Sequence, residues 1–266
     1  MISSSDNTGY IAVFDSGVGG LTVLHDALEK MPHEDFLYYA DSANVPYGSK
    51  SSEDIKRLVG EAIEKIMLHP VKAIVIACNT ATSIAISDLR EKYDIPIVGM
   101  EPAIKVAADV DADSKILVVA TEVTLKEEKY KDLISRLDLG ERVEACALPG
   151  LVKLAEDFVL DGPKVKRYLQ ASLQHLELET YGTIVLGCTH FLYFKKVLED
   201  MLPSHVKIVD GNQGTVNRLH SLISHRSDDN VSKVITLLSG HRVENEIIQP
   251  FLRAYTEGKL LLRKLR

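Results

Sequence analysis

Short apolar runs, rich in β-branched residues and separated by segments with helical spacing, constrain this chain more than any other feature. They are Tyr10–Phe14, Phe36–Tyr39, Ala73–Ala77, Ile97–Gly99, Ile116–Val119, Val143–Cys146, Ile184–Leu186 and Val206–Val209. A strand that is apolar at nearly every position has both faces buried, which is the condition of a parallel sheet covered by helices. The intervening segments fit that cover. Ile55, Leu58, Val59, Ala62, Ile63 and Ile66 fall on one helical stripe. Strand–helix alternation predicts an α/β architecture with mostly parallel sheets, and such sheets bind ligands at the carboxyl ends of their strands.

The pattern repeats. Ile74-Val75-Ile76-Ala77-Cys78-Asn79-Thr80 resembles Ile184-Val185-Leu186-Gly187-Cys188-Thr189-His190, and Ile11-Ala12-Val13-Phe14-Asp15-Ser16 resembles Ile116-Leu117-Val118-Val119-Ala120-Thr121. Both pairs are about 110 residues apart, which predicts two pseudo-symmetric α/β lobes rather than one long sheet. Each lobe then carries one strand ending in cysteine, and two facing lobes put two thiols across one cleft. The expected division is discontinuous: residues 1–100 with 211–266 form one lobe, and 101–210 the other. Asp109–Asp113 reads as a solvated turn between lobes, and Ser227–Asn230 as an exposed loop. From Val231 onward the pattern reads as mainly helical, with Pro250 as a break or first-turn residue.

Charge and composition exclude several classes. The net charge of -7 argues against non-specific binding to nucleic acid or an anionic membrane. The terminal basic group Arg263-Lys264-Leu265-Arg266 reads as the last turn of a helix. No run approaches the ~20 apolar residues of a membrane span. Met1–Asn7 has neither a basic region nor an apolar core, so it does not read as a secretory leader. Three cysteines without CxxC spacing do not form a disulfide framework and suit a reducing cytoplasm.

Three segments could carry chemistry. Phe14-Asp15-Ser16-Gly17-Val18-Gly19-Gly20-Leu21-Thr22 follows a strand and opens a helix. It is either a tight turn or a loop whose free N–H groups meet an anion. Thr22 stands where a dinucleotide fingerprint needs its third glycine, and no Gly-Lys-Ser/Thr follows for a P-loop. A carboxylate such as Asp15 at the end of a buried strand is costly unless hydrogen-bonded or used. Cys78-Asn79-Thr80 and Cys188-Thr189-His190 each join a strand end to a polar helix start. Asn79 and Thr80 serve either as helix caps or as donors to a substrate carboxylate. His190, two residues beyond Cys188, is placed to exchange a proton with it. Zinc is a poor fit, because Cys188 and His190 are too close in sequence and a second ligand pair is missing. A Cys–His hydrolase has no use for a second, symmetric thiol. Cys146 lacks polar helix-start neighbours and reads as a packing residue. A non-catalytic two-lobed solute-binding module needs no paired thiols at all.

In order as well as content, Phe14–Val23, Val45-Pro46-Tyr47-Gly48, Ala77-Cys78-Asn79-Thr80-Ala81-Thr82 and Leu186-Gly187-Cys188-Thr189-His190 resemble the bacterial glutamate racemases, from about residue 10 to 220. The resemblance implies two lobes with the active site in the cleft between them, a homodimer and no cofactor or metal. It implies interconversion of L- and D-glutamate, supplying D-glutamate for peptidoglycan synthesis. Cys78 would act on the D-enantiomer and Cys188 on the L-enantiomer, with Asp15, His190 and Glu156 completing the catalytic set. Asp15, Ser16, Tyr47, Gly48, Asn79, Thr80, Thr121, Thr189 and His190 would contact substrate. A sibling enzyme acting on aspartate is the alternative, and Val45–Gly48 favours glutamate. Two departures stand beside these motifs. Phe191-Leu192 replaces the usual aromatic-proline, and Ala40-Asp41-Ser42-Ala43-Asn44 replaces the usual Gly-Asp-Thr-Ala-Arg.

Overall fold

In the computed structural model, which describes residues 9–111, 113–226 and 231–255, every residue of Ile11-Ala12-Val13-Phe14 is fully buried. These residues form β1 (Tyr10–Asp15), and their alternate side chains enter two different cores. Ala12 and Phe14 face one core, and Ile11 and Val13 the other. Parallel neighbours flank β1: β2 (Asp35–Ala40) on one side and β3 (Val71–Ile76) on the other, with β4 (Ile97–Gly99) beyond β3. Between these strands run α1 (Leu21–Lys30), α2 (Ser52–Ile66) and α3 (Asn79–Lys92). The predicted stripe of α2 is buried, while Lys56, Arg57, Glu61 and Glu64 face solvent. Ser51 caps this helix by accepting from the Asp54 N–H at 3.1 Å.

A second sheet repeats the plan. After α4 (Ile104–Val110), β5 (Lys115–Ala120) lies between β6 (Val143–Ala147) and β7 (Tyr181–Gly187), with β8 (Lys207–Asp210) beyond β7. Its helices are α5 (Glu122–Lys126), α6 (Glu128–Arg136), α7 (Pro149–Glu156), α8 (Pro163–Leu173) and α9 (Lys195–Met201). Leu117 and Val119 face one core, and Ile116 and Val118 the other. The orders β2-β1-β3-β4 and β6-β5-β7-β8 are the same winding. In both, the chain reverses direction beside the central strand, and that switch point is where an open parallel sheet leaves a crevice. The residues following the central strands are Ser16 and Thr121, and those following β3 and β7 lead to Cys78 and Cys188.

The tail departs from the sequence reading. After α10 (Asn212–Leu222), residues 234–243 are not helical. They form β9 (Val234–Leu238), parallel to β2, and β10 (His241–Val243), antiparallel to β9. The reason is local. Val234-Ile235-Thr236-Leu237-Leu238 is a β-branched apolar run, and Ser239 and Gly240 both adopt positive φ, at 47° and 89°. That pair makes the two-residue hairpin turn whose twist matches the strands. Helix returns as a 3₁₀ turn over Asn245–Ile247 and then in α11 (Gln249–Tyr255), where Pro250 takes the first-turn place of its two expected roles. Met1–Asn7, Ser227–Asn230 and Arg263–Arg266 lie outside the described residues, as does Ala112 in the acidic turn. No helix among the described residues is long and apolar enough to cross a membrane.

Candidate active site

Asp15 closes β1 and is fully buried. Its carboxylate accepts from the Gly17 N–H at 2.9 Å and from the Thr189 hydroxyl at 3.0 Å. Thr189 follows β7, so this bond ties the end of one sheet to the end of the other. Burial raises the Asp15 carboxyl above its ordinary range, against the charge of His190 and the two hydrogen bonds, which pull it down. The glycine segment after it crosses the second sheet's loop at contact distance. A Cβ on Gly17 would enter the Glu156 carboxylate, and one on Gly19 would lie 2.6 Å from His190 Nδ1 and 2.7 Å from its backbone nitrogen.

On the other side, Cys188 begins a 3₁₀ turn over Thr189–Phe194 that buries every one of its side chains. Cys188 Sγ lies 3.9 Å from His190 Nδ1, and His190 Nε2 lies 2.6 Å from Glu156 Oε1. Glu156, at the end of α7, also accepts from the Val18 N–H at 2.8 Å. Burial by itself lowers the imidazole pKa. The hydrogen bonds and charges of Cys188 and Glu156 outweigh it and hold His190 well above its ordinary value.

Cys78 opens α3. Of the two roles the sequence leaves open for Asn79 and Thr80, capping falls to another residue: the N-cap is Cys78 itself, whose sulfur accepts from the Ala81 N–H at 3.4 Å. The physical reason is its extended backbone, which aims the side chain back over the first turn. Its thiol also lies 3.6 Å from the Ser16 hydroxyl. Burial pushes the Cys78 thiol up to about 12, the Asp15 charge adds to the rise, and the Ala81 N–H opposes it. Cys188 is among the charges that Cys78 senses, so the two thiols share one electrostatic neighbourhood. Freed from capping, Asn79 donates to the Met100 carbonyl at 3.2 Å, and its Oδ1 is a buried acceptor without a partner. The Thr80 hydroxyl meets those of Thr121 at 2.9 Å and Thr124 at 3.2 Å, joining α3 to the start of α5.

Tyr47 and Gly48 border the same region. A Cβ on Gly48 would come within 2.8 Å of Thr121 Cβ. The Tyr47 hydroxyl donates to Asp41 at 2.7 Å, and burial followed by the Asp41 charge raises its pKa. Cys146 stands apart on the edge strand β6, where its thiol faces the carbonyls of Ala147 and Ser172. Among the described residues, the one close grouping of three potential metal-ligand side chains is His25, Asp26 and Glu29 on α1, which includes neither thiol.

Sequence reasoning passed over Asp41, Thr124, Tyr38 and Tyr193. Asp41 follows β2 as a strand-end carboxylate, so the rule that selected Asp15 applies to it as well. Thr124 stands three residues after Thr121 and donates its N–H to that hydroxyl, the spacing of a helix cap. Tyr38 and Tyr193 donate to the carbonyls of Gly17 at 2.5 Å and Val18 at 2.9 Å. Those two bonds fix the glycine segment and have no local sequence signal.

Two consequences are testable here. Gly19→Ala should force the glycine segment away from His190, at the ~1–3 kcal/mol typical of overpacking. Gly60→Ala, on α2 with open space around its Cα, should instead be neutral or stabilising by up to ~1 kcal/mol. Thermal unfolding of both variants reads this; equal midpoints would mean that the loop contact is slack. The second concerns the Cys78 thiol. With a pKa near 12 it stays protonated through neutral pH, so its alkylation by iodoacetamide should rise about tenfold per pH unit from pH 7 to 10 without a plateau. An unperturbed thiol, near ~8.5, would level off within that window. Asp15→Asn removes a charge that raises the thiol pKa, so Cys78 should react faster at any fixed pH. A plateau below pH 9, or slower reaction in Asp15→Asn, would contradict the assigned environment.

The sequence profile of the Asp/Glu/Hydantoin racemase family matches residues 16–219. The glutamate racemase of Halothermothrix orenii is 50% identical over 213 residues, covering 80% of this chain and 84% of that protein. The crystal structure of a glutamate racemase isoform from Bacillus anthracis superposes with a TM-score of 0.82 at 29% identity, covering 94% of this chain and 95% of that one. The glutamate racemase from Francisella tularensis in complex with D-glutamate gives a TM-score of 0.77 at 25% identity, covering 93% and 94%. With a family profile spanning most of its length and the same fold in its relatives, the chain belongs to the Asp/Glu/Hydantoin racemase family and is an isomerase of the racemase class.

Proposed function

We propose that the chain is a glutamate racemase that works by two-base proton transfer between Cys188 and Cys78, without a cofactor. The observation that carries this reading is the pair of buried thiols following β3 and β7, beside the two switch points, with Asp15 and Thr189 bonded between them. Similarity to glutamate racemases, one of them in complex with D-glutamate, supports glutamate as the substrate.

Racemisation removes a weakly acidic α-proton and returns one to the opposite face. From L-glutamate, the Cys188 thiolate takes the α-proton, and the electron pair of the C–H bond stays on the substrate, spread into its carboxylate. The Cys78 thiol then gives its proton to the other face. Cys188 ends as the thiol and Cys78 as the thiolate, and the reverse reaction exchanges the roles. A thiol with a pKa near 12 has a strongly basic conjugate, which suits abstraction of so weak an acid. The N–H groups opening the 14-residue α3, with Asn79, Thr80 and Thr189, hold the carboxylate as negative charge grows. Asp15 and Ser16 attend Cys78, and His190 backed by Glu156 attends Cys188. Tyr47, Gly48 and Thr121 face the substrate side chain.

The reading extends to the architecture. Residues 1–100 with 211–266 form one lobe and 101–210 the other, with substrate in the cleft between them. The enzyme works in the cytoplasm as a homodimer and provides D-glutamate for peptidoglycan. Its family and the absence of a membrane-length apolar helix among the described residues are compatible with this.

The test is direct. Chelator-treated protein with no added cofactor is given L-glutamate or L-aspartate, and the D-enantiomer is quantified. Glutamate should be preferred by at least about tenfold in kcat/KM, the lower end of what one methylene confers. Preference for aspartate would overturn the substrate, and dependence on an added metal or organic cofactor would overturn the mechanism.

A further inference from the structure

The last described helix, α11, is fastened into the turn that begins at Cys188 by an unbroken series of contacts. Tyr255 donates its hydroxyl to Asp26 on α1, at 3.1 and 3.3 Å to the two carboxylate oxygens. Asn212, the first residue of α10, donates to the same carboxylate at 3.0 Å and to the Tyr255 oxygen at 3.4 Å. The helix is therefore held by two others. Its inner face carries the rings of Tyr255 and Phe251, which meet the Tyr193 ring edge-on at centroid distances of 6.5 and 6.0 Å. Such edge-to-face pairs have a preferred geometry and resist sliding. Phe158, just past α7, closes the cluster against Phe251 at 4.9 Å.

Tyr193 belongs to the turn that starts at Cys188, and its hydroxyl donates to the Val18 carbonyl. The N–H of Val18 donates to Glu156, Glu156 binds His190, and His190 touches Cys188. Val18 takes part through both its N–H and its carbonyl, and Glu156 Oε1 meets both Val18 and His190. The Cys78 thiol has no share in this series; its partners are Ser16 and Ala81.

We propose that Tyr255 is a positioning residue for the Cys188 half of the site, acting through Tyr193, Val18 and Glu156 on the orientation of His190. The proposal rests on the two-thiol reading of function. It predicts an asymmetry that a purely structural role for α11 does not: loosening the strut alters one thiol and spares the other.

The experiment uses the full chain and follows iodoacetamide labelling of Cys78, Cys188 and Cys146 by peptide mass spectrometry in the same sample, with Cys146 as the internal standard. In Tyr255→Leu, labelling of Cys188 should fall at least threefold relative to Cys78. The kcat on L-glutamate should fall at least fivefold, with KM changing less than twofold. Tyr255→Phe keeps the ring against Tyr193 but loses the bonds to Asp26 and Asn212, and should fall between the parent and Tyr255→Leu in both readouts. Tyr193→Phe removes a single hydroxyl with almost no change in volume, and should reproduce the Cys188 effect even where Tyr255→Leu fails to fold. An unchanged Cys188 to Cys78 ratio in folded Tyr255→Leu or in Tyr193→Phe overturns the proposal, as does an equal change at both thiols. A parent protein that does not racemise glutamate, yet shows the asymmetric labelling, overturns the functional reading and leaves the strut standing.

Discussion

Cys78→Ala and Cys188→Ala are each expected to lose racemisation by about 10³-fold or more, with Cys146→Ala keeping at least half the parent rate. A positioned proton-transfer group contributes roughly 10²–10⁴-fold. In a two-base cycle neither thiol is redundant, because each donates in one direction what the other removes. Both thiols are buried, so the change to alanine leaves a small void rather than an exposed defect. The expected stability cost is about 1 kcal/mol and the fold should persist. Cys146 is buried too, but its sulfur meets only backbone carbonyls at 3.9 and 4.0 Å on an edge strand, far from Asp15 and Thr189 in the hydrogen-bond pattern. The assay is D-glutamate formation, with circular dichroism as the check on folding. An active Cys78→Ala or Cys188→Ala protein, or an inactive folded Cys146→Ala, would remove the assignment.

The other large effect is isotopic. When L-glutamate reacts in heavy water, the first D-glutamate formed should carry deuterium at the α-carbon almost completely, while the remaining L-glutamate stays protiated. The reason is the division of labour between the thiols. The proton captured by Cys188 is not the one delivered by Cys78, and a thiol exchanges its proton with water between turnovers. A single swinging base would return its captured proton, giving protium in the product, or would label both enantiomers alike. Chiral separation and mass spectrometry within the first few per cent of conversion distinguish these cases. Substantial protium in the early D-product would sink the relay, whatever the geometry around Cys78.

The two-sheet plan and the residues at the strand ends are visible in the chain as written. Ile11–Phe14 and Ile184–Leu186 are apolar throughout because both faces are buried, and that constraint is local. Asp15, Cys78 and Cys188 stand out for the same reason: each breaks an apolar run where a parallel sheet exposes its carboxyl edge. What joins them is not local. The bond from Thr189 to Asp15 spans 174 residues and that from Val18 to Glu156 spans 138, and no periodicity within a strand or helix encodes either. Tyr38 and Tyr193 were passed over because a tyrosine in an apolar run reads as packing, and its hydroxyl partner lies on another element. Val234–Leu238 was absorbed into a helical pattern because a five-residue apolar run fits either period; Ser239-Gly240 was the discriminating signal. Cap statistics rank Asn and Thr well above Cys, which makes Asn79 and Thr80 the cap candidates in the sequence; the extended backbone at residue 78 gives the role to Cys78 instead.

The late return of the chain to the first sheet bears on how the protein is made. Strand β2 gains its outer neighbour only when β9 arrives, and about 200 residues of synthesis, at roughly 5–20 residues per second, take ~10–40 s. For that interval Phe36-Leu37-Tyr38-Tyr39 is an unpaired, apolar edge, the kind that recruits other chains. A ribosome that stops after α10 but before residue 234 therefore releases a polypeptide that contains all three cysteines and the hydroxyls bonded around Cys78 and Cys188, yet is sticky along one strand. Frameshifts and premature stops that fall after α10 and before residue 234 should accordingly yield inclusion bodies rather than weakened enzyme.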